Sequence, residues 1–198
     1  MDRQTNGYAG ARSDGVMKLV LLDRDGVLNE ENSEFIKSPD EFVMIPGAAV
    51  AVARLNERGH KVAIVTNQSV IGRGMIDEAM LNKIHDKLRL ALKNEGGWVD
   101  AIYVCFDHPN YATERRKPGS GMLQEALTQF SAKASETPII GDQLIDLEAG
   151  AAIGCPRMLV RTGRGAKTQA AGLPHHVHPV AIYSSLVAAV DSLIVAEA

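Results

Sequence analysis

The feature that most constrains this chain is a series of short apolar runs, each broken off by a polar cluster. KLVLL (18–22) stops at DRDG, KVAIV (61–65) at TNQS, and PII (138–140) at GDQLID, while AIYVC (101–105) runs into a loop carrying RRKP. A continuous apolar run without alternation marks a strand buried on both faces, which means a parallel sheet covered by helices. Helical patterns fill the intervals. PGAAVAVARLNERG (46–59) has Pro at its start and Gly59 as its stop. Leu81, Ile84, Leu88 and Leu92 recur at helical spacing from Asp77, a suitable N-cap, up to Gly96. Leu123, Ala126, Leu127 and Phe130 mark another helix. RMLV (157–160) and VAIY (180–183) read as two more strands, with a last helix from about Ser185, whereas 163–179, rich in Gly, Ala and His, reads as a loop. Strands alternating with helices predict a doubly wound parallel α/β sheet.

The chain has 198 residues, which suits a single domain, here 17–198. Residues 1–16 are polar and Gly-rich, and are expected to form a disordered extension and not a targeting signal. A net charge of −3 excludes the basic surface that a sequence-independent grip on nucleic acid needs, so no nucleic-acid partner is expected. An anionic substrate must instead meet a local cluster of cations and amides. Two cysteines are too few for a disulfide framework, and no apolar run is long enough for a membrane span. A cytoplasmic, monomeric protein is the expectation.

In a doubly wound sheet, ligands sit outside the carboxyl ends of the strands, and the polar clusters fall there. Asp23 and Asp25 leave the first strand and Asp142 leaves the fourth. Converging carboxylates suit a hard cation such as Mg2+. Lys117 and Arg116 bring positive charge, and Thr66 with the amides near Asn67 brings hydrogen-bond donors. Carboxylates, Mg2+, an ammonium and a hydroxyl form a site for a phosphoryl group, with one carboxylate free to act as nucleophile and another as acid/base.

In order along the chain, DRDGVLN, the Thr of TNQS, the Lys of RKP and GDQLID resemble the motifs of the haloacid dehalogenase superfamily of phosphotransferases. That resemblance implies Asp23 as nucleophile, Asp25 as acid/base, and Thr66 and Lys117 as phosphoryl ligands. It implies Mg2+ held by Asp23, the backbone carbonyl of Asp25, and Asp142. Asp146 is either a support for that shell or an exposed helix residue. Asn67, Gln68, Ser69, Arg116 and Gln143 complete the set expected to face substrate. The superfamily inserts cap domains after the first or third strand. Here helices, strands and short loops already fill both intervals, so an open site without a cap is expected.

DRDGVLN, PDEFVMIPGA, TNQSVIGRG, RRKPGSGM and VRTGRG further resemble the branch of heptose bisphosphate phosphatases, whose relatives include the histidinol-phosphate phosphatases. The implied substrate is a small sugar phosphate. Histidinol phosphate, a 3′-phosphorylated end, and a catalytically silent phosphate-binding domain are the other readings. The chain departs from this branch at three places. Its zinc-binding members carry C-x-H and then C-x-C before Arg-Lys-Pro, whereas this chain offers only Cys105 and His108 of the four ligands a structural zinc takes, so no zinc is expected. EENSEF (30–35) replaces the usual Gly-Tyr loop, and Gln143 stands where a Lys often follows the metal-binding Asp. Cys155 reads as a small core residue, Arg73 as a solvated loop cation, and His175, His176 and His178 as loop residues without metal.

Overall fold

A computed structural model describes residues 18–196 of the chain, and the expected disordered extension lies outside them. Six strands form one parallel sheet: β1 (Leu19–Leu22), β2 (Lys61–Asn67), β3 (Ala101–Cys105), β4 (Ile139–Gly141), β5 (Arg157–Val160) and β6 (Val180–Tyr183). Their spatial order is β3-β2-β1-β4-β5-β6. The helices are α1 (Ala48–Glu57), α2 (Ser69–Gly72), α3 (Glu78–Asn94), α4 (Gly121–Gln129), α5 (Leu144–Ala152), α6 (Gly165–Ala170) and α7 (Leu186–Val195).

The apolar runs form strands because both of their faces find cover. Val20, Leu22, Val62 and Ile64 point to one face, where they pack with α1, α3 and α7. Their alternates Leu19, Leu21, Ala63 and Val65 pack with Met122, Leu123 and Ala126 of α4 and Ala149 of α5. Such two-sided burial, at about 25 cal/mol per Å2 of apolar surface removed from water, is what makes unalternating runs stable as strands. Asp77 caps α3 by accepting from the Met80 amide at 2.8 Å, and Gly59, at φ +82°, turns the chain after α1.

The stretch expected to be a loop is partly ordered: α6 occupies Gly165–Ala170 and a 3-10 turn spans His175–Val177. Its helical tendency lies in its alanines, and its position is set from outside, by Thr168 Oγ1 donating to the Asp142 carbonyl at 2.9 Å. Among the described residues no domain interrupts the intervals between Asp23 and Thr66 or between Thr66 and Lys117. Likewise, no described helix is long and apolar enough to cross a membrane.

The strand order reverses direction at β1 and β4. Connections run outward from β1 through β2 to β3, and then from β4 through β5 to β6. A crevice opens at the carboxyl ends where the order reverses, and Asp23 and Asp142 are the residues that follow β1 and β4 there.

Candidate active site

Every site residue expected from the sequence except Asp142 lines a single cleft of about 200 Å3 at this crevice. Asp142 is fully buried, at 0% exposure, and forms a carboxylate group with Asp23 and Asp146 whose ligand oxygens lie within 4.8 Å of one another. A larger cavity of about 380 Å3 lies at the opposite, amino ends of the strands, between Lys18, His60, Pro138 and Pro156. It has mainly apolar walls and none of these carboxylates.

Lys117 is the hub of the floor. Its side chain is 1% exposed, and its ammonium donates to Val65 O at 2.8 Å and to Asp146 Oδ1 at 2.6 Å, with Asp23 Oδ1 at 3.0 Å. Three protons meet three acceptors, which is the condition for burying an ammonium without a large penalty. Burial alone would lower its pKa, but Asp146 and Asp23 outweigh it and hold the group charged. Asp146 is therefore the buried partner of Lys117, and the exposed-helix alternative does not hold. Its Oδ2 accepts from the Gln143 amide at 3.0 Å, closing the first turn of α5. With both oxygens engaged, Asp146 serves better to fix Lys117 than to ligate a metal.

Asp23 takes both of its polar contacts on Oδ1, from Lys117 and from the Arg24 amide at 2.7 Å, so Oδ2 carries neither. Burial, opposed by Lys117 and reinforced by Asp146 and Asp25, pushes Asp23 up to about 7. Burial, with Asp23 and Asp146 adding to it, lifts Asp142 to about 8. Asp142 Oδ2 accepts from the Arg164 amide at 2.7 Å, while Oδ1 is buried with no partner. An orphaned carboxylate oxygen among crowded carboxylates, all hard oxygen donors, fits Mg2+. Glycines make room for it: a Cβ on Gly26 would stand 2.1 Å from Asp142 Oδ2, and one on Gly163 (φ +54°) 2.3 Å from it. Thr162 Oγ1 also donates to Gly26 O at 2.6 Å. The TGRG segment is thus a brace for Asp142.

Asp25 stands beside this group and differs from it electrostatically. Burial works to raise its pKa, but Arg24, Asn29 and Gln68 outweigh it and leave it below the ordinary carboxylate value. Arg24 Nη2 donates to both of its oxygens at 3.0 Å, Asn29 Nδ2 to Oδ1 at 2.8 Å and Gln68 Nε2 to Oδ2 at 2.7 Å. Gln68 also donates to Thr66 Oγ1 at 2.9 Å, so its amide orders two neighbours. Asn67 is turned to the β3–α4 loop, donating to Lys117 O at 2.9 Å and accepting from Lys117 N at 3.1 Å. Ser69 opens α2, with its Oγ 3.4 Å from Arg73 Nε, and the Arg73 guanidinium lies 5.2 Å above the Phe35 ring.

The β3–α4 loop is ordered by ion pairs and hydrogen bonds. Arg115 grips Glu125 through two bonds at 2.6 and 2.9 Å and donates to Val104 O at 3.0 Å. Asp107 accepts from the amide and hydroxyl of Thr113, and Arg116 donates to Asp107 O at 3.0 Å. Cys105 is buried, and His108 Nδ1 accepts from the Asn110 amide at 3.2 Å. Tyr111 is 81% exposed and contributes little to this order. Cys155 is a core residue, and His176 lies 3.3 Å from Glu148 on the exposed surface.

The sequence reading missed Arg24, the largest fully buried polar side chain, and His85, whose Nε2 lies 3.3 Å from Arg24 Nη1. The signal for His85 was present, because 81, 84, 85, 88 and 92 form one buried helical stripe.

A doubly wound parallel sheet with this site at its reversal point defines a phosphatase of the haloacid dehalogenase superfamily. A HAD-hydrolase-like family model matches residues 114–189, and a polynucleotide kinase 3 phosphatase model matches residues 18–145. D-glycero-β-D-manno-heptose-1,7-bisphosphate 7-phosphatase of Bordetella bronchiseptica is 46% identical over 156 residues, covering 79% of this chain and 87% of the relative. The Neisseria meningitidis serogroup A enzyme of the same name is 41% identical over 162 residues, covering 82% and 84%. The crystal structure of the B. bronchiseptica D,D-heptose 1,7-bisphosphate phosphatase, complexed with magnesium and phosphate, superposes with a TM-score of 0.87 at 43% identity, over 92% of this chain and all of that one. The chain belongs to the D-glycero-D-manno-heptose-1,7-bisphosphate 7-phosphatase family.

Proposed function

We propose that this phosphatase removes one phosphate from D-glycero-β-D-manno-heptose 1,7-bisphosphate through an aspartyl-phosphate on Asp23. The observation that carries the mechanism is the asymmetry of the two aspartates. Asp23 is held through Oδ1 alone, next to a charged Lys117, while both oxygens of Asp25 are engaged by Arg24, Asn29 and Gln68. Asp23 Oδ2 forms the bond to phosphorus as the bond from phosphorus to the sugar oxygen breaks. Asp25 gives that oxygen its proton and later takes one from the water that releases phosphate. In the free enzyme Asp25 is ionised. The dianionic substrate places like charge beside it and draws a proton onto it as substrate binds. Lys117 and Thr66 face the phosphoryl oxygens, and Lys117 has its longest contact, to Asp23, to exchange for one of them.

Asp23, Asp142 and the Asp25 carbonyl are the residues that would hold Mg2+. When bound, the cation offsets the negative charge that carboxylates and phosphate bring together. Arg116, Ser69 and Gln143 line the same cleft and are the side chains proposed to meet the sugar. The relatives named above support the heptose bisphosphate as substrate. A 3′-phosphorylated polynucleotide is the second reading, favoured by the family model over residues 18–145. The net charge of −3 weighs against it.

Comparing kcat/KM for the heptose bisphosphate, histidinol phosphate and a 3′-phosphorylated oligonucleotide decides the substrate. The heptose bisphosphate is expected to lead, and a lead for either other substrate rejects that assignment. Asp23→Asn is expected to abolish phosphate release with the fold intact, and retained turnover rejects the mechanism.

A further inference from the structure

Behind Asp25 a chain of hydrogen bonds runs from the cleft through Arg24 to the buried face of α3. Arg24 separates the two aspartates of the DRDG motif in sequence, yet its side chain is 1% exposed. Through Nη2 it donates to Asp25 and to Gln68 Oε1 at 3.0 Å, and through Nη1 it meets His85 Nε2 at 3.3 Å. Its Nε is buried without a partner. Among the described residues, His85 is thus the acceptor that meets the Nη1 end of a guanidinium whose other end positions the Asp25 carboxylate.

The chemistry of the pair fixes the state of the imidazole. A guanidinium is always a donor, so His85 Nε2 must present its lone pair, which places the proton on Nδ1 and leaves the ring neutral. Burial, with the positive charges of Arg24 and Arg89, holds His85 down to about 4, in keeping with that assignment. The ring is 3% exposed on the buried stripe of α3, a helix whose other inward residues are Leu and Ile. A histidine that packing alone required there could be replaced by an apolar residue of similar volume.

We infer that His85 is a positioning residue for the acid/base step: it anchors Arg24, and Arg24 with Gln68 holds the Asp25 carboxylate toward the leaving oxygen. This rests on Asp25 acting as the acid/base. A proton donor matters when the leaving oxygen is a poor leaving group, as in a sugar or other alkyl phosphate, and hardly matters for an aryl phosphate whose phenolate leaves unaided. A misplaced Asp25 therefore shows as a defect that depends on the leaving group, which a general loss of packing does not produce.

The test compares wild type, His85→Leu, His85→Gln and Asp25→Asn, with Mg2+ present, on an alkyl phosphate and on p-nitrophenyl phosphate, and follows thermal unfolding in parallel. His85→Leu removes the acceptor and keeps the volume, and His85→Gln returns an acceptor oxygen near the place of Nε2. The expectation is that kcat/KM of His85→Leu for the alkyl phosphate, which reports the step in which the leaving oxygen departs and not the later hydrolysis common to both substrates, falls by about tenfold or more while kcat/KM for the aryl phosphate moves by less than about twofold. His85→Gln is expected to recover most of the loss. If His85→Leu does not fold, His85→Ala, which also lacks the acceptor, is read instead, and a folded His85→Gln must still act as wild type. Equal losses of kcat/KM on both substrates, or no loss of kcat/KM on the alkyl phosphate, overturn the inference. Asp25→Asn separates this from failure of the underlying reading: full alkyl phosphate activity in that variant removes Asp25 from the acid/base role, whatever the His85 variants do.

Discussion

Stripping Mg2+ from the protein is predicted to make its stability fall as pH rises from 6.5 to 8, and Mg2+ is predicted to remove most of that fall. The folded protein holds Asp23 at about 7 and Asp142 at about 8, whereas carboxylates in an unfolded chain titrate near 4. Between these values the folded state binds protons that the unfolded state has released, so stability declines as pH increases. His85 works in the opposite sense. Its folded value of about 4 lies below the unfolded 6.5, so between those values stability rises with pH and masks the carboxylates. Above pH 6.5 that opposition is gone. One proton is worth about 1.4 kcal/mol per pH unit. Counting a single proton for the interacting pair gives a loss of about 2 kcal/mol from pH 6.5 to 8. As the proposed ligand of the ionised carboxylates, Mg2+ is expected to stabilise more at pH 8 than at pH 6.5. Urea unfolding followed by circular dichroism, in EDTA and in excess Mg2+ at both pH values, measures all four quantities. Equal or greater stability at pH 8 in EDTA, or a Mg2+ effect that ignores pH, would refute the reasoning.

Lys117→Met should destabilise the protein by about 3–5 kcal/mol at neutral pH, since it leaves Asp23 and Asp146 buried without their cation. Part of that loss should return as pH is lowered and the carboxylates take up protons, which urea midpoints at two pH values would show. Gly163→Ala puts a Cβ 2.3 Å from Asp142 Oδ2 at a φ of +54°. It should lower Tm by more than a few degrees, because a left-handed penalty of about 1–2 kcal/mol adds to a clash that also reaches Gly26 Cα at 2.4 Å. It should also raise the Mg2+ concentration needed for half-maximal phosphate release, and an unchanged Mg2+ requirement would show that Gly163 is not shaping the Asp142 pocket.

The core strands were legible because each is buried on both faces, so its composition carries the whole signal. Asp23, Asp25, Thr66, Lys117 and Asp142 were legible because each lies at the end of a strand or in the loop that follows one, and the topology sends those ends to one edge. What escaped the reading depends on atoms far away in the chain. Asp146 looks like any helical acid until Lys117, from the β3–α4 loop, arrives at 2.6 Å. The role of TGRG is invisible without Asp142 lying against it, since what matters is the missing Cβ at Gly163. Arg24 carries no signal of its own between two acids, and its place inside depends on His85 of α3 and Gln68 after β2 meeting its guanidinium. Segment 163–179 misled through composition: its glycines disfavour a helix while its alanines favour one, and the bond from Thr168 to Asp142 O supports the helical choice.

The reversal of strand order also bears on how the molecule assembles. β1, β2 and β3 come from one continuous half of the chain, and β4, β5 and β6 from the other. The halves share a short ladder, with Leu21 opposite Ile139 and Leu22 opposite Ile140. Each half can pair its own strands over short sequence separations, whereas the β1–β4 junction must close a loop of more than a hundred residues, the slower event. Asp23 stands at the end of one side of this junction and Asp142 at the end of the other. Asp23 and Asp142 therefore meet only when the junction closes, and a ligand that bridges them would act as a staple between two half-proteins.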